Sequence, residues 1–121
     1  MNVFQKAALA EKAFENYFEN IGSGYQRITT FYSDLTIAEE VSGAEGVKDT
    51  YRRVVKSWIN DYKYFTEFVM CLNLKSWEHH ANGKEDLGQI YSDLYYEARD
   101  KFYEHYEGND EATSYFFKTT D

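Results

Sequence analysis

Proline does not occur once in the 121 residues, and with it go the usual helix breaker and the rigid turn. Long helices are therefore the default expectation. Cysteine occurs only at Cys71, which excludes an internal disulfide framework and a cysteine-only zinc site. Long apolar runs are missing as well, since the longest, Phe68 to Leu72, falls far short of the roughly 20 residues a membrane span requires. Met1 to Glu11 holds no apolar stretch of signal-peptide length, so the expectation is a cytoplasmic protein with no membrane association. Positive charge is in deficit, with 13 Lys and Arg against 21 Asp and Glu for a net charge of -8. That balance argues against non-specific attraction to nucleic acid or anionic lipid. A chain of this length is read as one helical domain, residues 1–121, because a single core already takes about 100 residues.

Aromatic residues, by contrast, reach 19%, including 12 Tyr and 9 Phe, which argues against a disordered chain. Each buried tyrosine hydroxyl must find a partner or reach water, so some of these rings belong at the surface.

Apolar residues at Val3, Ala7, Ala10, Phe14, Tyr17, Phe18 and Ile21 follow one face of an amphipathic helix, closed by Gly22-Ser23-Gly24. Tyr25 to Tyr32 is rich in Thr and aromatics and reads as extended. Thr36 with Glu39 reads as a capping box that opens a short helix stopping at Ser42-Gly43. Val47, Tyr51, Val54, Trp58, Tyr62, Phe65, Val69 and Leu72 then keep helical phase. Unbroken from 44 to 81, that helix would be about 57 Å long, against about 35 Å for a compact domain of this size. A break is expected at Asn60-Asp61, where both residues prefer caps to helix interiors. Asn82-Gly83 closes the segment, and a last long helix over about 84–107 turns Leu87, Ile90, Tyr91, Leu94, Ala98, Phe102 and His105 inward until Gly108. The tail, with Tyr115-Phe116-Phe117, is too apolar to float free and should dock, as a short helix or as a strand.

The expected fold is therefore all-α, a small bundle of three main helices plus a short helix, with a minor two-stranded β pairing of the Thr29 and Phe116 segments as an option. Its core positions are Phe14, Phe18, Leu35, Ile37, Val47, Tyr51, Val54, Trp58, Phe65, Val69, Leu87, Leu94 and Phe102.

Catalytic patterns are scarce. His79 and His80 are adjacent and point about 100° apart on a helix, and neither H-E-x-x-H nor a Glu-x-x-His pair is present, so no metal is expected. These histidines read as a helix end, favourable there when charged. Cys71 lies in the run Phe-Val-Met-Cys-Leu, where a thiol behaves as a buried hydrophobe. Glu39-Glu40 and Glu85-Asp86 read as helix starts, and Gly22-Ser23-Gly24 is a lone turn with no phosphate-loop pattern around it. The expectation is a non-enzymatic protein without catalytic residues or a cofactor.

Surface patterning is more informative. Segment 84–107 carries a net charge of -4, while 44–81 carries +1. Asp86, Asp93, Glu97, Asp100, Glu104 and Glu107 recur at sevens, fours and threes, forming a stripe whose members lie about 5–6 Å apart along much of the axis, comparable with phosphate spacing. Away from the inner stripe stand Tyr95, Tyr96, Arg99, Tyr103 and Tyr106, of the residue types enriched in binding hot spots. Asp93, Glu97, Asp100, Glu104, Tyr96, Arg99, Tyr103 and Tyr106 thus form the candidate partner-binding set, with Tyr103 as central anchor and Arg99 one turn earlier. The competing account is that the docked tail covers these rings. The partner implied is a protein, one with a basic nucleic-acid-binding surface. An alternative site is a nucleic-acid-binding face on the central helix, Lys48, Arg52, Lys56 and Lys63, although Asp49 pairs with part of it. The opposite charges of the central and last helices also admit a homodimer.

Four stretches, Thr29-Thr30-Phe31-Tyr32-Ser33-Asp34-Leu35-Thr36-Ile37-Ala38-Glu39, Val47-Lys48-Asp49-Thr50-Tyr51, Tyr62 to Asn73 and Tyr115-Phe116-Phe117-Lys118-Thr119-Thr120-Asp121, give the chain its resemblance to a family. It resembles small uncharacterised acidic accessory proteins carried by conjugative elements and phages of gut bacteria. The resemblance spans nearly the whole chain and implies an accessory gene; it brings no catalytic residues. Proteins of this kind are often similar to inhibitors of host defence, anti-CRISPR proteins among them, so the implied function is inhibition of a nucleic-acid-handling defence system.

Overall fold

The computed structural model describes residues 24–120. They form four α-helices: α1 (Gly24–Trp58), α2 (Tyr62–Ala81), α3 (Glu85–His105) and α4 (Asp110–Thr120). The fold is an all-α small bundle. No strand occurs among the described residues, so the β pairing of the Thr29 and Phe116 segments is replaced by helix in both. The core positions Phe14 and Phe18, and the helix expected over Val3 to Ile21, lie outside the described residues.

Residues 25–32 are helical rather than extended, and α1 runs on through Thr36. Burial decides this: Phe31, Tyr32 and Leu35 all enter the core, and that gain outweighs the local β preference of Thr and aromatic residues. Thr36 is not a cap. It is buried in mid-helix, where its hydroxyl donates to the Tyr32 carbonyl at 2.9 Å.

The stop expected at Ser42-Gly43 is present, but as a bend inside α1. Gly43 has φ 61° and ψ -145°, a conformation essentially reserved for glycine. Beyond it the helix returns close enough that a Cβ on Gly46 would lie 2.3 Å from the Ala38 carbonyl oxygen, so only glycine fits there. The break at Asn60-Asp61 is where the sequence places it. Asp61 is the N-cap of α2, and its side-chain oxygen accepts from the Tyr64 N–H at 3.1 Å. Asn82 caps the other end of α2, and Asn109 caps α4 by accepting from the Ala112 N–H at 3.0 Å.

Helix α2 is the central element, packed against the other three. This explains why Phe65 to Leu72 is buried without interruption, as expected of a helix surrounded on most of its circumference. From α1 come Leu35, Val47, Tyr51 and Val54, from α3 Tyr91, Ala98 and Phe102, and from α4 Ala112 and Phe116. The tail docks as a helix through Phe116, whose ring stacks on Phe102 with centroids 4.2 Å apart.

Of the expected core, Leu35, Val47, Tyr51, Val54, Phe65, Val69 and Phe102 are buried, and Leu87 and Leu94 are half-buried. Two positions are corrected: Ile37 is 48% and Trp58 38% exposed, because the bend at Gly43 leaves both on the open side of α1. His105, placed on the inner stripe, is exposed where α3 ends. None of the described helices is long and apolar enough to cross a membrane.

Candidate protein-binding site

Helix α3 is a firm platform. Tyr91, Ala98 and Phe102 fix its inner face in the core, and Glu85 and Asp86 in its first turn complement the positive end of the helix dipole. Its outer face carries the residues singled out by the sequence, Tyr106 excepted. Asp93, Glu97, Asp100 and Glu104 are all exposed, at steps of four, three and four. Asp93 accepts from Gln89 Nε2 at 2.8 Å. Glu97 lies beside the Tyr51 hydroxyl of α1; burial first, and this carboxylate second, push the Tyr51 phenol up from its ordinary value.

Tyr96 and Arg99 form the best-defined pair on this face. The Arg99 guanidinium lies 4.9 Å from the Tyr96 ring centroid and 3.7 Å from Asp100 Oδ1, so one cation orders a ring and a carboxylate together. Tyr96 is 51% exposed and rests edge-on against the half-buried Tyr95 at 5.2 Å. The face thus presents an aromatic ring, a planar cation and four carboxylates on one rigid element.

The tail reaches one end of this face and leaves the other open. Tyr103, 39% exposed, leans edge-on against Phe116 of α4 at 5.3 Å, which costs it part of its accessible surface. Tyr106 does not belong to the face. It is buried, its ring lies 4.6 Å from Phe102, and its hydroxyl donates to the Ile59 carbonyl. The reason is helical phase: Tyr106 follows Phe102 by four residues and Ala98 by eight, which sets it beside the inner stripe rather than on the outer face.

The alternative basic face is divided. Lys48 lies 3.8 Å from Glu45, Arg52 4.0 Å and Arg53 3.6 Å from Asp49. Lys56 is exposed farther along α1, whereas Lys63 stands on α2 across the break, with its ammonium 5.8 Å from the Tyr115 ring centroid. The four cations share no single helix.

Two features escape the sequence reading. One is a network of ionisable groups in the interior. Glu39 Oε1 is hydrogen-bonded to His79 Nε2 at 2.7 Å and accepts from the Tyr91 hydroxyl at 3.0 Å, tying α1, α2 and α3 together. Tyr32 donates to Glu78, and Lys75 extends over the Tyr32 ring at 4.3 Å. The Tyr115 hydroxyl reaches Glu67 at 3.3 Å, bringing α4 onto α2. His80 is engaged separately, with Nδ1 2.6 Å from Glu85 Oε2. No group of three or more His, Cys, Asp or Glu able to hold a metal occurs among the described residues. Cys71 is fully buried, and that burial, with the Glu67 carboxylate nearby, pushes its thiol well up. The second feature is a groove between the two arms of α1, lined in part by Ile37, Val41 and Trp58. Sequence periodicity marks Ile37 and Trp58 as apolar-face residues, yet it carries no signal that among the described residues both stay part-exposed, Trp58 with one face stacked on Tyr64 at 4.7 Å.

No family model matches the chain, and no curated protein or solved structure is detectably similar to it.

Proposed function

We propose that this chain is a non-enzymatic protein-binding factor that uses the outer face of α3 to dock on a basic surface of another protein. The observation that carries this reading is the Tyr96–Arg99 pair set among Asp93, Glu97, Asp100 and Glu104 on a helix locked into the core. Tyrosine and arginine bring contact area and directed hydrogen bonds at little rotamer cost, and the carboxylates steer a basic partner into place. A surface that normally meets nucleic-acid phosphates is such a partner, which supports the finer reading of an inhibitor of a nucleic-acid-handling defence system. The resemblance to accessory proteins of mobile elements points the same way.

The test is capture of a partner by the unmodified chain beside a variant with Asp93, Glu97, Asp100 and Glu104 all changed to Lys. Binding through this face predicts a partner that the variant loses while keeping its helical circular-dichroism spectrum. Equal capture by both would reject the reading. The basic face of α1 offers a weaker second reading, because Lys48 and Arg52 already have carboxylates on their own helix.

A further inference from the structure

The bend at Gly43 separates α1 into two arms, 24–42 and 44–58, and between them lies a groove of about 520 Å³. Among the described residues seven large apolar side chains are exposed, and three of them, Ile37, Val41 and Trp58, line this one groove. Val41 is the most exposed of all, at 78%. Single exposed apolar residues need no explanation, but a cluster of three in a concavity does.

The same groove carries both signs of charge. Asp49 and Arg53 stand one turn apart on the second arm, 3.6 Å from each other, and Asp34 lines it from the first arm, its carboxyl pushed up by burial with the charge of Arg53 opposing only in part. Exposed pairs within one helix are weak, so these groups can exchange partners at little cost.

We propose that the groove is an interface with a second copy of this chain, related by a two-fold axis, in which Val41 and Trp58 of each protomer are buried against the other. A two-fold interface brings a surface patch against itself, so the patch must contain its own complement. This one does. An axis crossing the second arm between residues 49 and 53 lays that arm antiparallel on its copy, and Asp49 of each protomer then meets Arg53 of the other. A patch of one sign would repel its copy, and an apolar patch alone would fix no register. The interface is separate from the outer face of α3, so each can fail without the other.

The test is the mass of the full chain in solution across the micromolar range, by light scattering or sedimentation equilibrium. A dimer is expected, and Val41→Glu should weaken it at least about tenfold by burying an unpaired charge. That variant should keep the parent's fold, since Val41 is exposed within one protomer. The decisive step uses Arg53→Glu and Asp49→Lys. Each variant alone sets like charges against each other across the axis and should be monomeric, whereas an equimolar mixture restores both cross-pairs and should return the dimer. The proposal is overturned by a chain that stays monomeric at high micromolar concentration, by a dimer indifferent to Val41→Glu, or by a mixture that stays monomeric. A dimer dissolved by charge reversal on α3 overturns it too, because the contact would then run through that helix.

Discussion

His79 Nε2 lies 2.7 Å from Glu39 Oε1 in the interior, 40 residues apart in the chain, and this contact joins the first arm of α1 to the end of α2. Burial on its own would raise the Glu39 pKa; the hydrogen bond and charge of His79, the Lys75 ammonium and the Tyr91 hydroxyl outweigh it and hold Glu39 at about 2. The folded carboxyl is therefore a stronger acid than its unfolded counterpart, whose ordinary value is 4.5.

The sign of the pH dependence follows. A carboxyl with a depressed folded pKa contributes its full stability above the unfolded value and loses it as pH falls towards the folded one. Thermal melts should show a falling Tm from about pH 4.5 down to about pH 2, and Glu39→Gln, which has nothing to protonate, should flatten that limb. At neutral pH the same substitution should cost about 2 kcal/mol, since His79 loses a charged, buried partner. An unchanged acid limb in Glu39→Gln would show that other carboxyls govern it.

The glycines of α1 and α3 should not behave alike. Ala at Gly43 must adopt φ 61° and ψ -145°, at a cost of about 1–3 kcal/mol. Ala at Gly46 pushes a methyl into the Ala38 carbonyl oxygen, a backbone atom that can move only if the bend opens, for a similar cost of about 1–3 kcal/mol. At Gly88 the methyl meets the His80 ring at 2.8 Å, and that side chain is part-exposed and can swing away, so Gly88→Ala should cost less than either. Urea unfolding of the three variants checks the order.

Tyrosines on one helix should separate by role. Tyr106→Ala empties a ring site on Phe102 and removes the hydrogen bond to Ile59, so a loss of about 3 kcal/mol or more is expected. Tyr96→Ala should change stability by about 0.5 kcal/mol or less, because half of that side chain faces water. Tyr103→Ala should fall between them, since its ring shares an edge with Phe116. Melting curves of the three decide, and equal losses would mean that the tail covers the whole row.

Cys71 should be inert in the folded protein. Its thiol is fully buried and its pKa raised, so almost no thiolate is present at neutral pH. Labelling by a thiol-specific disulfide reagent should therefore proceed at the unfolding rate and accelerate in parallel with urea-induced unfolding. Rapid labelling without denaturant would contradict the burial.

Much of this architecture is legible in the sequence because its punctuation is local. Asp61 caps α2 with its own side chain, and Gly83 and Gly108 adopt positive φ just beyond helix ends, so each signal resides where the structural event occurs. Periodicity likewise finds Val47, Tyr51, Val54, Phe65, Val69 and Phe102. It fails at Ile37 and Trp58 because a repeat identifies an apolar face and says nothing of what covers it. It fails at residues 25–32 because the burial of Phe31 and Tyr32 comes from contacts with distant helices. The interior network is illegible for the same reason: Glu39 finds its partners 40 and 52 residues away, and locally it resembles part of a capping box. On α3 the acidic row is plain from spacing alone, and so, four residues beyond Phe102, is the inward placement of Tyr106, which the sequence reading assigned to the outer face.

The most direct test of the proposed binding role of α3 is a titration of one captured partner against the full chain, its Tyr96→Ala variant and its variant with Asp93, Glu97, Asp100 and Glu104 changed to Lys. Docking through this face predicts a loss of about 2 kcal/mol or more for Tyr96→Ala with an unchanged melting temperature, and loss of detectable binding on charge reversal. Equal affinity for all three proteins would contradict the account.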